Sequence, residues 1–477
     1  MGSNTDQPVS TRKYLVFSAL LIAVAVLTAY QIARRTAYDV HPDEYIHVDA
    51  FCYFENHFWP PDLNSDELIY SSYGWSRVYD QEMVYLVYGQ FAKLARSIID
   101  SRPWLVLRQA TGDNPAPFLE GTYFTRCQQR APALAQGYRL LNVLLYLITL
   151  SVLFYMGQKH PWPLLIALLM ICVPQVTYLF AYANSDAWGL SMSIFLFLFV
   201  LRQGDRLFNS WLNMVGLAGL TAMVLLSKET AWLSLPFTYL LVGWIFIEFI
   251  KDQHSLHFGR LVGLLTVLIL TTFLIILPSN IVYPLTQGDF TAKAEQMREI
   301  RALPDYKPSQ PASTGYRLRA KGFPFRRIWA NQRWYRLTAQ SSYGRFGYEN
   351  VKLSRWAYQL PSILFLILAS STFGFLIYRW RKIPGLDRFM LMVAPVCVLL
   401  IILGSMIHSW TFDFQPQGRY LSTALIPLAL IFGGTAVFEP HLLRIARLFA
   451  WFILYGLCLY VLWFIVLQDS RLLNLGG

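Results

Sequence analysis

The chain has 477 residues, of which 55% are hydrophobic, 16% aromatic and only 14% charged. A soluble chain carries about a quarter charged residues, and packing this many apolar segments into one soluble core would leave too little polar surface to cover them, which excludes a soluble globular protein. The formal net charge of +12 does not indicate a nucleic-acid partner, because fourteen Lys/Arg against five Asp/Glu lie between Ile281 and Trp356, in one loop between apolar runs.

A membrane-spanning helix needs about 20 mostly apolar residues. In chain order the runs of that kind are Tyr14–Ala33, Tyr138–Met156, Pro163–Ala181, Leu190–Leu201 with its flanks, Leu212–Leu226 and Ala231–Ile250, followed by Leu261–Leu277, Ala357–Tyr378, Phe389–Ile407, Leu421–Val437 and Phe449–Leu467. The predicted fold is therefore an all-α integral membrane protein with about eleven transmembrane helices. Leu190–Leu201 and Leu212–Leu226 are the short members of the series. The first run is longer than a signal-peptide apolar region and no A-x-A-like site follows it, so it reads as a retained anchor helix.

Lys and Arg in short connections set orientation. With the N-terminus inside, the inner connections hold Arg12/Lys13, Lys159, Arg202/Arg206, Lys251/Arg260, Arg379/Arg381/Lys382/Arg388 and Arg444/Arg447, and the short outer ones hold Lys228 and Arg419. Arg34 and Arg35 point the other way and are outvoted. The C-terminus then lies outside. Two large loops face outward, residues 36–137 and 279–355, within a transmembrane domain of residues 1–437; residues 438–477 form a C-terminal helix and outer tail. In the first loop Ser65–Ile99 reads as an amphipathic surface helix, with Val84, Leu86, Val87, Phe91, Leu94 and Ile98 at helical spacing. In the second, Arg317–Arg345 interleaves Arg with Tyr, Phe and Trp: either a lid over a phosphate-bearing headgroup or sugar, with Arg326 and Arg327 as anion ligands, or an ordinary interfacial belt. There is no fixed-period repeat and no low-complexity segment.

Cys172, Cys397 and Cys458 fall inside apolar runs and read as packing residues. Cys52 and Cys127 share the first outer loop, where an oxidising compartment would let them form a disulfide.

Four polar clusters could carry chemistry. His41-Pro42-Asp43-Glu44-Tyr45-Ile46-His47-Val48-Asp49 follows the first helix, with Asp43, Glu44 and His47 able to share a helix face near Pro42. A carboxylate there can act as general base on an acceptor hydroxyl; alternatively Asp43 and Glu44 merely suit the first turn of a helix. Asn184-Ser185-Asp186 places a carboxylate at membrane depth, as a functional group or as a helix cap. Lys228 in Ser227-Lys228-Glu229-Thr230 either pairs with Glu229 or reaches an anion. Arg419 and Tyr420 lead into the tenth apolar run, where Arg419 is a phosphate clamp or a snorkelling side chain. The inferred topology places all four clusters on one outer face. Glu44, His47, Asp186 and His41 could ligate a divalent metal, although no Cys-x-x-Cys or His-Glu-x-x-His spacing supports it. There is no Walker A run, G-x-G-x-x-G or G-x-S-x-G, so nucleotide-driven transport and serine hydrolase chemistry have no support.

Pro42-Asp43-Glu44-x-x-His47, Asn184-Ser185-Asp186 and Gln417-Gly418-Arg419-Tyr420-Leu421 resemble the motifs of a bacterial predicted-membrane-protein family grouped with the GT-C superfamily of polyprenyl-phosphate-sugar glycosyltransferases. Leu226-Ser227-Lys228-Glu229-Thr230-Ala231 is similar to the Leu-x-Lys-x-x-Ala turn of the protein-mannosyltransferase and lipid A aminoarabinose transferase branches. The resemblance spans Tyr14 to about Val437 and is specific for superfamily rather than substrate. It implies a GT-C-like fold in the bacterial inner membrane, an extracytoplasmic active site, a polyprenyl-phosphate-linked sugar donor, and a cell-envelope glycan, lipid or protein as acceptor. It also implies an acidic base in the first outer loop, here Asp43 with Glu44 as neighbour or substitute. The Asp43-Glu44 pair departs from the Asp-x-Asp of some branches, which leaves both the choice of base and the metal requirement open. His41, His47, Asp186, Lys228, Arg419, Tyr420, Arg326 and Arg327 are the residues expected to hold substrate or lipid phosphate. A flippase of lipid-linked saccharide, or a polymerase or ligase, would use a similar basic groove.

Overall fold

The computed structural model describes residues 11–100, 131–252, 258–310, 318–319, 321–330, 332–348, 350–411 and 414–473. In a bilayer every backbone N–H and C=O must find its partner within the chain, so apolar runs become helices. Eight helical stretches are long and apolar enough to cross: Val16–Arg35, Ala131–Gly157, Asp186–Gln203, Glu229–Lys251, Val262–Thr286, Arg355–Tyr378, Gly385–Thr411 and His441–Val466. Three shorter apolar helices, Pro161–Cys172, Trp211–Leu225 and Gly418–Gly433, occupy the other runs. The chain is a mostly helical, multi-pass membrane protein with eight helices of spanning length among the described residues, where about eleven were expected.

The difference has local causes. Pro174 has no N–H to donate and its ring crowds the preceding turn. The run Pro163–Ala181 therefore breaks at Val173, whose backbone is extended, into Pro161–Cys172 and the six-residue helix Pro174–Leu179. Gly418–Ala424 winds as a 3-10 helix before Leu425–Gly433 continues as α.

The helices that position the site are α1 (Thr11–Arg35), α2 (Glu44–Tyr53), α3 (Met83–Asp100), α4 (Ala131–Gly157), α5 (Pro161–Cys172), α6 (Asp186–Gln203), α7 (Phe290–Arg301), α8 (Trp334–Gly344), α9 (Arg355–Tyr378), α10 (Gly385–Thr411), α11 (Leu425–Gly433) and α12 (His441–Tyr460). About the bundle axis α6 is central, with 72% of its spanning window buried, whereas Val262–Thr286, at 6%, lies at the periphery. The polar residues of α6 are satisfied between helices: Thr149 Oγ1 donates to Ser191 Oγ at 3.0 Å and Ser234 Oγ donates to Ser193 Oγ at 2.9 Å. The C-terminal segment joins the same body, because Trp463 Nε1 donates to Thr28 Oγ1 at 3.0 Å and Ala37 N donates to Leu472 O at 2.8 Å.

The expected helix Ser65–Ile99 is confined to α3. Its first half contains Gly74 at φ +70° and ends in a 3-10 turn, Arg77–Asp80, capped by Ser76. A Cβ on Gly74 would sit 2.6 Å from Ala302 N, so a close approach of the second loop takes the place of the helix. Within α3, Val84, Tyr85 and Tyr88 are buried while Val87, Phe91 and Leu94 form an exposed apolar stripe, which suits a helix lying along the bundle at a membrane surface. The two loops dock on each other: Tyr283 OH donates to Pro61 O at 2.9 Å, Arg301 Nε to Asn64 Oδ1 at 2.6 Å, and Leu303 N to Ser72 O at 3.0 Å.

One buried ion pair joins the loop to the bundle. Arg139 of α4 donates Nε to Glu44 Oε1 at 2.7 Å and Nη2 to Glu44 Oε2 at 2.6 Å, with both side chains essentially inaccessible. Its remaining N–H groups reach the carbonyls of Ala33, Thr36 and Ala37 at 2.8–3.0 Å, and Glu44 also accepts from Ala183 N at 3.2 Å. Four chain segments thus converge on two side chains. Removing one partner of such a pair leaves an uncompensated buried charge, so Arg139→Ala is expected to destabilise the fold by about 3–5 kcal/mol. Thermal unfolding in detergent is the check, and a midpoint equal to wild type would show that the pair is dispensable.

Candidate functional site

Beyond α1 the chain turns through residues 36–43 and is pinned by His41. The imidazole is fully buried, with Nε2 3.0 Å from Thr36 Oγ1, Nδ1 2.6 Å from Tyr178 OH, and its face stacked on Tyr182 at 4.8 Å. Burial pushes its pKa down to about 3, so it is neutral. His41, expected to bind substrate, is instead an internal peg with both nitrogens engaged.

Asp43 occupies the N-cap position of α2 in the left-handed region (φ 61°, ψ 13°) and makes no capping hydrogen bond. The helix-end reading of this carboxylate therefore fails, and the strained backbone turns it outward. It accepts from Arg419 Nη2 at 3.2 Å and lies 3.8 Å from Arg77 Nη2, with 35% of the side chain exposed. Burial alone would raise its pKa, but Arg419, Arg77 and Lys228 outweigh that and hold the carboxyl below its ordinary value. An ionised, reachable carboxylate results. Glu44 is the opposite case: closed on every side by Arg139 and backbone N–H groups, it has no path to a reactant. The structure places Glu44 as the anchor that positions Asp43, and corrects its candidacy as base.

Arg419 is 4% exposed, and its Nε and Nη1 have no hydrogen-bond partner among the described residues. Its position depends on Gly418, where an added Cβ would lie 1.9 Å from the backbone N of Ser342 in α8. Only glycine permits this approach. Tyr420 lies between two cations, with its ring 5.3 Å from the Arg419 guanidinium and 5.1 Å from Lys228 Nζ, and its hydroxyl donates to Gln415. Lys228 does not pair with Glu229; its Nζ meets Asp186 Oδ1 and Oδ2 at 3.0 and 3.1 Å. Asp186 is thereby neither alone nor a helix cap.

Two features adjoin this charged centre. A cavity of about 310 Å³ lies between α5, α8, α9, α10 and α11; Val173, Leu179, Tyr343, Phe365 and Leu428 give it an apolar wall, and Gly418 and Arg419 form part of its lining. Near the same cations lies a set of buried polar atoms without partners among the described residues: His47 Nε2, Glu82 Oε2 and Trp188 Nε1. His47 Nδ1 is 2.8 Å from Tyr85 OH, and Ser185 Oγ is likewise without a partner among the described residues. Burial first, then the charges of Arg77, Lys228 and Arg419, keep His47 neutral, while burial and Asp80 raise Glu82 above the usual carboxylate range. Mixed donors and acceptors of this kind match a hydroxylated group better than a simple ion.

Arg326 and Arg327 do not join the site. They are exposed on the short helix Arg326–Ala330, where Arg327 lies over the Phe323 ring at 4.2 Å and Ile328 anchors the helix in a small core with Leu318, Trp334 and Met406. Among the described residues no three His, Cys, Asp or Glu side chains gather as a metal site. Glu44, His47 and Asp186 are each engaged elsewhere, by Arg139, Tyr85 and Lys228. Cys52 is disulfide-bonded; Cys127, its expected partner, lies outside the described residues. Cys172, Cys397 and Cys458 are buried and free, as packing residues would be.

Arg77, Arg139, Glu82, Trp188 and Tyr182 were missed as contributors. Arg139 carried a usable signal, being a charge within an apolar run. The other four come from two segments, Arg77 and Glu82 before α3 and Tyr182 and Trp188 around the start of α6, which meet only in three dimensions.

Two measurements follow. Gly418→Ala forces α8 away from the Arg419 segment and is expected to cost about 1–3 kcal/mol, read as a lowered thermal midpoint; an unchanged midpoint would contradict the close packing. Asp49 is buried, accepts from Ile69 N at 2.9 Å, and burial lifts its pKa from 3.8 to about 7. Between those values the folded chain holds a proton that the unfolded chain has released, so stability falls as pH rises through this window and levels off above it. Asp39 and Glu82 act with the same sign, the neutral imidazoles of His41 and His47 act with the opposite sign at the acidic end of the window, and the depressed Asp43 and Glu44 affect stability only at lower pH. Asp49→Asn is expected to remove this contribution, so that the midpoint of the variant falls less, or rises more, between pH 5 and pH 7.5 than that of wild type; an unaltered pH dependence in the variant would refute the assignment.

Among known proteins, the family described as predicted membrane protein (DUF2142) matches residues 129–432, which include Asp186, Lys228 and Arg419 but not Asp43. No curated protein matches the chain, and no solved structure does. The match covers more than half of the chain, and the protein belongs to this family of predicted membrane proteins.

Proposed function

We propose that the protein is a membrane glycosyltransferase that moves a sugar from a polyprenyl-phosphate donor to an acceptor hydroxyl. The observation that carries this reading is the meeting of three elements: an apolar groove, a guanidinium with two unengaged nitrogens in its lining, and a partly exposed carboxylate 3.2 Å from that guanidinium. An isoprenoid chain fits the groove and its phosphate fits Arg419, as a charge-assisted anion site in apolar surroundings. The unpartnered set around His47, Glu82 and Trp188 would take the sugar hydroxyls. The resemblance to GT-C enzymes points the same way.

In this mechanism Asp43 removes the proton of the acceptor hydroxyl while that oxygen forms a bond to the anomeric carbon. The bond from the anomeric carbon to the phosphate oxygen breaks, its electron pair leaving with the polyprenyl phosphate, and the configuration inverts. Arg419, with Lys228 nearby, stabilises the leaving phosphate. The Arg419–Asp43 contact gives binding a second consequence. A phosphate on Arg419 competes for its charge, weakens its hold on Asp43, and restores the basicity that the guanidinium suppresses. Donor binding thus activates the base. The Lys/Arg distribution supports an N-terminus inside and a site facing the extracytoplasmic side, and the family resemblance implies the bacterial inner membrane.

The test is sugar transfer in reconstituted vesicles supplied with a panel of polyprenyl-phosphate hexoses and pentoses. Asp43→Asn, which tolerates the left-handed backbone, is expected to lose at least about 100-fold in rate while keeping the wild-type thermal midpoint. Transfer at wild-type rate would remove Asp43 as base. Absence of transfer from every donor, with lipid-linked saccharide still moved across the bilayer, would assign the groove to a flippase.

A further inference from the structure

A second cleft lies apart from the Asp43 centre. It has a volume of about 590 Å³ and is lined by Arg336 and Gln340 of α8, Leu353, and Arg355, Tyr358 and Gln359 in the first turn of α9. Among the described residues no carboxylate lines it, and neither Arg336 nor Arg355 has a side-chain hydrogen bond or ion pair. The opening is therefore cationic and its two guanidinium forks are unengaged. The first turn of α9 contains no acidic residue and Ser354 makes no side-chain cap, so the positive end of a 24-residue helix adds to the same field.

Its level in the membrane can be read from the neighbouring residues. Trp329, Tyr335 and Trp356 are exposed around the cleft, an aromatic belt of the kind found at headgroup depth. One turn further along α9 the exposed residues become Leu360, Ile363, Leu366 and Ile367, a hydrocarbon-facing stripe. The same two helices continue into the apolar groove: Ala339, Ser342 and Tyr343 of α8, and Pro361 and Ser362 of α9, line its wall within about one helical turn of the cleft residues. A cationic recess at phosphate depth, open to acyl chains lying along α9, is shaped for a lipid.

We propose that the Arg336–Arg355 cleft binds the phosphate of an anionic membrane phospholipid, at a site separate from Arg419. The site is independent of the transferase reading: it would hold in a flippase as well. Arg336 and Arg355 grip the phosphate oxygens, Gln340 and Gln359 take the polar headgroup, and the acyl chains follow the exposed face of α9.

The experiment is native mass spectrometry of delipidated full-length protein titrated with phosphatidylglycerol or with phosphatidylcholine of identical chains. Wild type is expected to favour phosphatidylglycerol by about tenfold or more. Arg336→Gln/Arg355→Gln is expected to reduce that preference to about twofold or less, and Arg336→Lys/Arg355→Lys to give an intermediate value, because charge is kept while the planar fork is lost. The lysine pair also serves if the glutamine pair fails to fold. Equal binding of the two lipids by wild type, or an unchanged preference in either folded variant, overturns the proposal. Displacement of phosphatidylglycerol by inorganic phosphate at equal concentration would overturn the lipid assignment and leave a free-anion site.

Discussion

The architecture of the polar centre depends on burying one charge pair. Arg139 and Glu44 satisfy each other and, between them, the carbonyls that end α1 and the amide of Ala183. A guanidinium within an apolar helix is costly unless each N–H is met. Meeting them draws the α1 exit, the start of α2 and the turn before α6 to one point. With Glu44 fixed, the residue before it has little conformational choice. Asp43 takes a left-handed backbone and presents its carboxylate to Arg419 rather than to the helix end.

Charge at the centre is partitioned unequally. The Glu44–Arg139 and Asp186–Lys228 pairs are close and largely shielded, and both hold the centre together. Asp43 and Arg419 are joined by a single contact, one partly exposed and the other holding unengaged nitrogens. Contacts of this looser kind are the ones a ligand can rearrange. Arg419 lines the groove, and the unpartnered His47 lies within its field, which is why the proposed reactive step is given to Asp43.

Much of the fold was legible because apolar runs leave the chain no alternative to helix in lipid. The failures occur where packing overrides pattern. Pro174 breaks a run that hydropathy alone reads as continuous, and Gly74 trades a helical turn for contact with the second loop. At the site, Asp43, Asp186, Lys228, Arg419 and Tyr420 were identified from charge placement, and they do meet. Their partners were not identified. Lys228 prefers Asp186, 42 residues away, to its neighbour Glu229, and Glu44 differs from Asp43 only through Arg139, 95 residues along the chain. Local spacing cannot report such pairings. The basic second loop misled for a related reason: its Arg326 and Arg327 belong to a small satellite core, whereas Arg336 and Arg355 form a cleft that composition alone does not distinguish.

The central claim is that Arg419 receives a lipid phosphate at the head of the apolar groove while Asp43 stays free to act. Its most direct test is cryo-electron microscopy of the full-length protein purified with a polyprenyl phosphate. Density for the phosphate is expected against Arg419 Nε and Nη1, with the isoprenoid chain running past Val173, Tyr343 and Leu428. A chain bound elsewhere, with the groove closed and Arg419 still clamped on Asp43 alone, would contradict it.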